Sequence, residues 1–226
     1  AAIYCGLRAW PPDRSHVPHR VVWAVGMGAM LGIAVLVRYS SLLLLVPLGV
    51  YGAVQSFGAG GTQGRAALWK QKALWWSIPS FAAMLLPQLA YVLTYGAGTA
   101  YLRWGAGWSP ANIFSATTTS SDGTVSFAYP MIVFYLLSPL ANISGGLLSG
   151  FYLPAFILGL GALAWQRRWP MLALLLSWWV VSALFYSLST FQTHRYVLIY
   201  MPPLVILTGI GTAFAIETLL SRLPKP

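Results

Sequence analysis

The sequence predicts an all-α integral membrane protein, a polytopic helix bundle of about six spans with one re-entrant or interfacial helix on the outer face. Three observations carry this. Only 7% of the 226 residues are charged, against about 25% in soluble domains. Hydrophobic residues make up 58%, and apolar runs of roughly 20 residues recur, long enough to cross a bilayer as helix. The basic residues are scattered between those runs, where they orient a membrane protein and meet anionic headgroups. The net charge of +10 therefore points to lipid rather than nucleic acid as its partner.

Taken in order, the spans are expected over residues 21–37, 42–57, 73–95, 147–165, 171–189 and 196–216. A seventh apolar run, 127–143, contains Pro130, Pro139 and Asn142. Basic residues decide its course, because cytoplasmic loops are enriched in Lys and Arg. If the run does not cross, one face receives Arg8, Arg14, Arg20, Arg65, Lys70, Lys72, Arg167, Arg168, Arg222 and Lys225. The other face receives Arg38, Arg103 and Arg195, a split of ten to three. If it crosses, the split falls to seven to six. The lopsided arrangement is preferred. Residues 1–226 then form a single transmembrane domain whose outer loop, 96–146, includes an interfacial helix over 127–143.

Other features are structural. Gly28 and Gly32, like Gly146 and Gly150, have the small-xxx-small spacing that lets membrane helices approach closely. The polar stretch 115–124, "SATTTSSDGT", is expected to be a loop. The lone Cys5 excludes an internal disulfide. The opening "AAIYCGLRAW" reads as the tail of a helix already under way, so the chain is expected to be a C-terminal portion of a longer protein.

Chemistry is narrowed by what the sequence lacks. It has no phosphate-cradling Gly-Lys-Ser/Thr loop, no His/Cys metal spacing and no Gly-x-Ser-x-Gly elbow. Its three acids are Asp13, Asp122 and Glu217, and only Asp122 falls on the outer face. A pair of outer carboxylates is excluded within this chain. Cations remain: Arg38 at the outer end of one span, Arg195 at the outer start of another, and Arg103 in the loop between. Arginine binds phosphate through a planar fork of donors. These arginines either snorkel to headgroups or pair with Asp122, or else Arg38 and Arg195 converge on the phosphate of a lipid substrate. Tyr39, Trp108, Tyr196 and other aromatics surround them, as belt residues or as rings that stack on sugars. His194 suits phosphate binding or general acid/base work, or an interfacial hydrogen bond. Pro202 and Pro203 are expected to break the last span about one turn inside the membrane.

Several stretches resemble one family. "GMGAMLGIAVLVRYSSLLLLVPLGV", "LTYGAGTAYLRWGAGWSPANIF", "LLSPLANISGGLLSGFYLPAFILGLGAL" and "HRYVLIYMPPLVILTGIG" are similar, in order, to the C-type (GT-C) glycosyltransferase superfamily. The relevant members are its protein O-mannosyltransferase-like and aminoarabinose-transferase-like enzymes. The resemblance implies a membrane enzyme, placed in a bacterial inner (plasma) membrane, that takes a sugar from a polyprenyl-phosphate carrier. It delivers the sugar to an acceptor on the extracytoplasmic side, with inversion. Basic residues hold the carrier phosphate, a role that matches Arg38 and Arg195. The expected substrate-binding set is Arg38, Tyr39, Arg103, Trp108, His194, Arg195 and Tyr196. The family's catalytic acid lies in a first outer loop that this chain does not contain, so no residue here is assigned as catalytic. No cofactor is implied beyond the lipid-linked sugar as substrate, and a divalent metal is left open.

Two other classes compete. A non-enzymatic transmembrane subunit, associated with other membrane subunits, accounts equally for the missing acid pair and the small-residue helix faces. A transporter is weaker, because polar residues inside the spans are scarce apart from Gln88.

Overall fold

A computed structural model describes residues 1–9, 19–57, 75–95, 107–120, 123–143 and 149–222. The chain forms two compact units, Ala1–Trp104 and Gly105–Pro226. Each is described by itself. Among the described residues, the secondary structure is helical apart from one short hairpin.

The first unit holds α1 (Ala2–Ala9), α2 (Arg20–Val37), a 3-10 segment (Tyr39–Leu44), α3 (Leu45–Phe57) and α4 (Ser77–Tyr95). Its main contact is α2 against α4, and glycine makes it possible. A β-carbon on Gly28 would strike the Ser77 carbonyl, and one on Gly32 would strike Met84 and the Phe81 carbonyl. The Ser80 hydroxyl bridges the same seam, donating to the Val25 carbonyl at 2.8 Å. The packing role expected for Gly28 and Gly32 is what the helices use. On the other side, α1 lies on α2, with Tyr4 edge-on to Trp23 at 5.7 Å. Helix α2 ends because Arg38 is extended, with φ −156° and ψ 116°. Its N–H still closes a bond to Ala34 before the chain tightens into the 3-10 turns.

The second unit holds a 3-10 turn (Pro110–Asn112), β1 (Thr117–Ser120), β2 (Gly123–Ser126), α5 (Met131–Ile143), α6 (Ser149–Trp165), α7 (Trp169–Ser187), α8 (His194–Val197) and α9 (Met201–Arg222). Helices α6 and α7 form an antiparallel pair joined by Gln166–Arg168. Arg167 adopts the left-handed conformation there, with φ 53°. This lets the N–H of Arg168 reach Leu163 and that of Arg167 reach Ala164, capping the carbonyls at the end of α6. Gly159 faces Gly211 where α6 meets α9. A β-carbon on Gly159 would hit the Leu207 carbonyl, and one on Gly211 the Ala155 carbonyl, one turn back on each helix. The approach is the same seen from either side, as it is where two helices cross running in one direction. Around it Phe156, Leu163, Leu175, Leu204 and Leu207 form the buried core.

Among the described residues, four helices are long and apolar enough to cross a membrane: Arg20–Val37, Ser77–Tyr95, Trp169–Ser187 and Met201–Ser221. The expected spans 42–57 and 147–165 correspond to apolar helices that are shorter, Tyr39–Gln55 and Tyr152–Trp165. Three expectations need correction. The span expected over 196–216 is two pieces, α8 and α9, with a break at Leu198–Tyr200. Pro202 and Pro203 do not interrupt a helix. They stand in the first turn of α9, where backbone N–H groups have no helical partner and a proline loses nothing. The polar stretch 115–124 is not all loop. It enters an antiparallel hairpin pairing Thr117 with Ser126, Thr118 with Val125, Thr119 with Thr124 and Ser120 with Gly123. Its β-branched threonines favour the extended chain, and Gly123 supplies the φ of 121° that a β-carbon resists.

Candidate functional site: a tyrosine cluster at the foot of the His-Arg helix

In the second unit, the end of α7 and the start of α9 come together with α5 and α8 around four tyrosines. The chain after α7 cannot continue that helix, and its exposed carbonyls are taken up by the preceding loop. Asn112 donates from Nδ2 to Leu188 at 2.8 Å and to Gly107 at 2.8 Å. The Ser109 N–H donates to the same Leu188 carbonyl at 3.0 Å. Gln192 then reaches across to donate to the Tyr129 carbonyl at 2.6 Å. The loop before α5 is thus laced to the segment after α7.

Beneath this lacing lies an aromatic cluster. Tyr186 stacks on Tyr196 at 4.6 Å with a 15° interplanar angle, and on Tyr200 at 6.2 Å and 24°. Tyr135 lies 6.1 Å from Tyr186 and 6.4 Å from Tyr196. Trp108 packs edge-on to Phe185 at 4.6 Å and to Tyr186 at 6.3 Å. Tyr135, Tyr186 and Tyr200 are fully buried. The Tyr135 hydroxyl donates to the Phe191 carbonyl at 2.5 Å and accepts from the Thr193 N–H at 3.3 Å. Burial pushes this phenol above its ordinary pKa, so it stays a donor. Tyr200 donates to the Tyr135 carbonyl at 2.8 Å.

The cluster positions α8. A four-residue helix has too few internal bonds to persist by itself. Its last two residues anchor it: Tyr196 stacks on Tyr186, and Val197 is buried. Its first two residues are His194 and Arg195.

The other expected site residues fall as follows. Trp108 and Tyr196 belong to this cluster and help build it. Arg38 and Tyr39 belong to the first unit, at the junction of α2 and the 3-10 segment. Arg38 is partly buried there and Tyr39 exposed. Arg103 lies outside the described residues, as does Asp122. Tyr135 and Tyr186, with Ser189, whose hydroxyl donates to the same Phe191 carbonyl at 2.9 Å, are not among the residues expected from the sequence. They lie in apolar runs that read as helix interior, and only tertiary contact unites them. Among the described residues, no three His, Cys, Asp or Glu side chains gather as a metal site. The first unit also holds a cavity of about 390 Å³, lined by residues including Met27, Leu31, Leu45, Leu48, Tyr51 and Phe81. Its lining is largely apolar, with Tyr51 and Ser77 as its hydroxyl-bearing residues.

No protein-family model, curated protein or solved structure matches this chain.

Proposed function

We propose that the protein is a membrane glycosyltransferase of the C-type kind, moving a sugar from a polyprenyl-phosphate carrier to an acceptor on the extracytoplasmic side. Arg195 and Arg38 supply positive charge for the carrier phosphate, with Arg103 and His194 as further donors. Tyr196, Trp108 and Tyr39 supply aromatic surface for the sugar. The general base comes from outside this chain. The proposed setting is a bacterial inner membrane.

The observation that carries this is the anchoring of α8. A short helix opening with His194 and Arg195 is held by a buried tyrosine cluster where α7 ends and α9 begins. A helix start that carries a cation at headgroup depth suits the phosphate of a lipid. The family resemblance of the surrounding sequence adds the sugar.

The proposed topology has six crossings, α2, α3, α4, α6, α7 and α9, with α5 lying in the outer interface. The chain geometry within the second unit favours this. The N–H of Ile132, at the start of α5, donates to Ile113, next to the Asn112 that holds Leu188. The end of α5 is only five residues from Ser149, which opens α6. Ser149 belongs to the same end as Leu188, because α6 and α7 are an antiparallel pair. These links support an α5 that begins and ends on one side.

The test is sugar transfer in membranes containing the full-length protein, with Arg195→Gln and Arg38→Gln made separately. A hydrogen bond to a charged group is worth about 1.5–3 kcal/mol, so each loss should lower transfer roughly 10- to 100-fold. Undiminished transfer in both variants would sink the phosphate role. Absent transfer, with stoichiometric co-purification of other membrane subunits, would favour a non-enzymatic subunit instead.

A further inference from the structure

We infer that the Leu188 end of the second unit is a lipid-contact surface, with Phe114, Tyr129 and Phe191 set into the boundary between headgroups and acyl chains. The inference rests on the chain being a membrane protein and needs no sugar transfer.

Distance is the first argument. Ser187 closes α7, a helix long and apolar enough to cross a membrane. Leu188 therefore lies where hydrocarbon gives way to headgroups. Asn112 is bonded directly to Leu188, and Phe114 follows it by two residues. Phe191 follows Leu188 by three residues, at most about 11 Å of chain. Tyr129 is tied to that segment through Gln192. The Met131 N–H donates to the Ser115 carbonyl at 3.1 Å, which joins the Phe114 and Tyr129 segments.

Exposure is the second argument. Phe114 is 80% exposed, Tyr129 60% and Phe191 58%, although the backbone around them is hydrogen-bonded into place. Little ordering remains to oppose their insertion. Charge is the third. Between Arg103 and Arg167 the chain carries a single charged residue, Asp122. A surface facing bulk water carries charge at about a quarter of its positions. Aromatic side chains in a stretch with one charge, and beside Arg195 four residues beyond Phe191, belong in the interfacial region.

Spin-label depth measurements test this, with the full-length protein in vesicles of phosphatidylcholine and phosphatidylglycerol. Cys5→Ser removes the only cysteine of this chain, and single labels are placed by Phe114→Cys, Tyr129→Cys and Phe191→Cys. Val180→Cys, midway along α7, marks the bilayer interior, and Thr124→Cys in the hairpin marks the water side. The three aromatic positions should collide with oxygen rather than a water-soluble nickel chelate, with a ratio several-fold above that at Thr124. A ratio equal to that at Thr124, with Val180 deep, overturns the lipid contact alone. Protection from both reagents means a second copy covers the surface, which also overturns it. Water exposure at Val180 as well removes the membrane placement along with the inference.

Discussion

Pro139 removes one N–H from α5, and Tyr200 puts a hydroxyl in its place. In an α-helix the carbonyl of residue 135 would accept from the N–H of residue 139. Proline has none. Tyr200 donates to that carbonyl from 65 positions away, at 2.8 Å and in full burial. Losing a partner for a buried carbonyl costs about 1–3 kcal/mol. Tyr200→Phe should therefore lower thermal stability in detergent by about that amount, while exposed Tyr91→Phe changes little. The mechanism has its own check. Pro139→Ala restores the helical N–H, so Tyr200→Phe should cost about 1 kcal/mol less in that background. Equal costs in both backgrounds would show that the hydroxyl does something else. Both residues are visible in the sequence, Pro139 as a helix breaker and Tyr200 as one aromatic among many. Their bond is not, because nothing local relates two residues so far apart.

At the scale of elements, apolar length marked where helices form: five of the six expected spans correspond to a helix within a few residues, and the sixth is divided between α8 and α9. That signal depends on composition alone, so it survives without tertiary information. It could not detect the break at Leu198–Tyr200, since "YVLIYM" is apolar throughout and fits a helix or a bend. Nor could it say which glycines touch. Gly28 and Gly32 announce themselves by spacing. Gly159 pairs with Gly211 across two helices, and neither position predicts the other. The contact makes a sharp prediction. Gly211→Val places a side chain against the Ala155 carbonyl, so α6 and α9 must separate. Overpacking typically costs about 1–3 kcal/mol, and displaced backbone puts the loss at or above the upper end. Gly209→Ala, two residues away on the same helix and facing open space, should be neutral or slightly stabilising. Thermal unfolding of both variants decides it. Equal effects would mean that the loss of glycine, rather than the close approach, matters.

For the whole molecule, the topology turns on α5, because whether it crosses decides which face meets the α6–α7 turn. The candidate site was legible in part for the same reason. His194 and Arg195 stand out in a chain with so little charge, but their depth and side depend on how many helices precede them. With α5 in the interface, the hairpin and the start of α8 share the outer face, and Arg167 and Arg168 lie opposite with most of the other basic residues. With α5 crossing, the hairpin stays outside but Arg167 moves out to join it, and α8 moves to the cytoplasmic face. Two cysteines distinguish these arrangements on a Cys5→Ser background. Thr124→Cys should react with a membrane-impermeant maleimide in intact cells under either. Gln166→Cys, exposed in the α6–α7 turn, should react only after permeabilisation if α5 stays in the interface. Labelling of Gln166→Cys in intact cells, to the level of Thr124→Cys, would make α5 a span. The basic residues would then divide almost evenly, and His194 and Arg195 would face a compartment without the proposed donor.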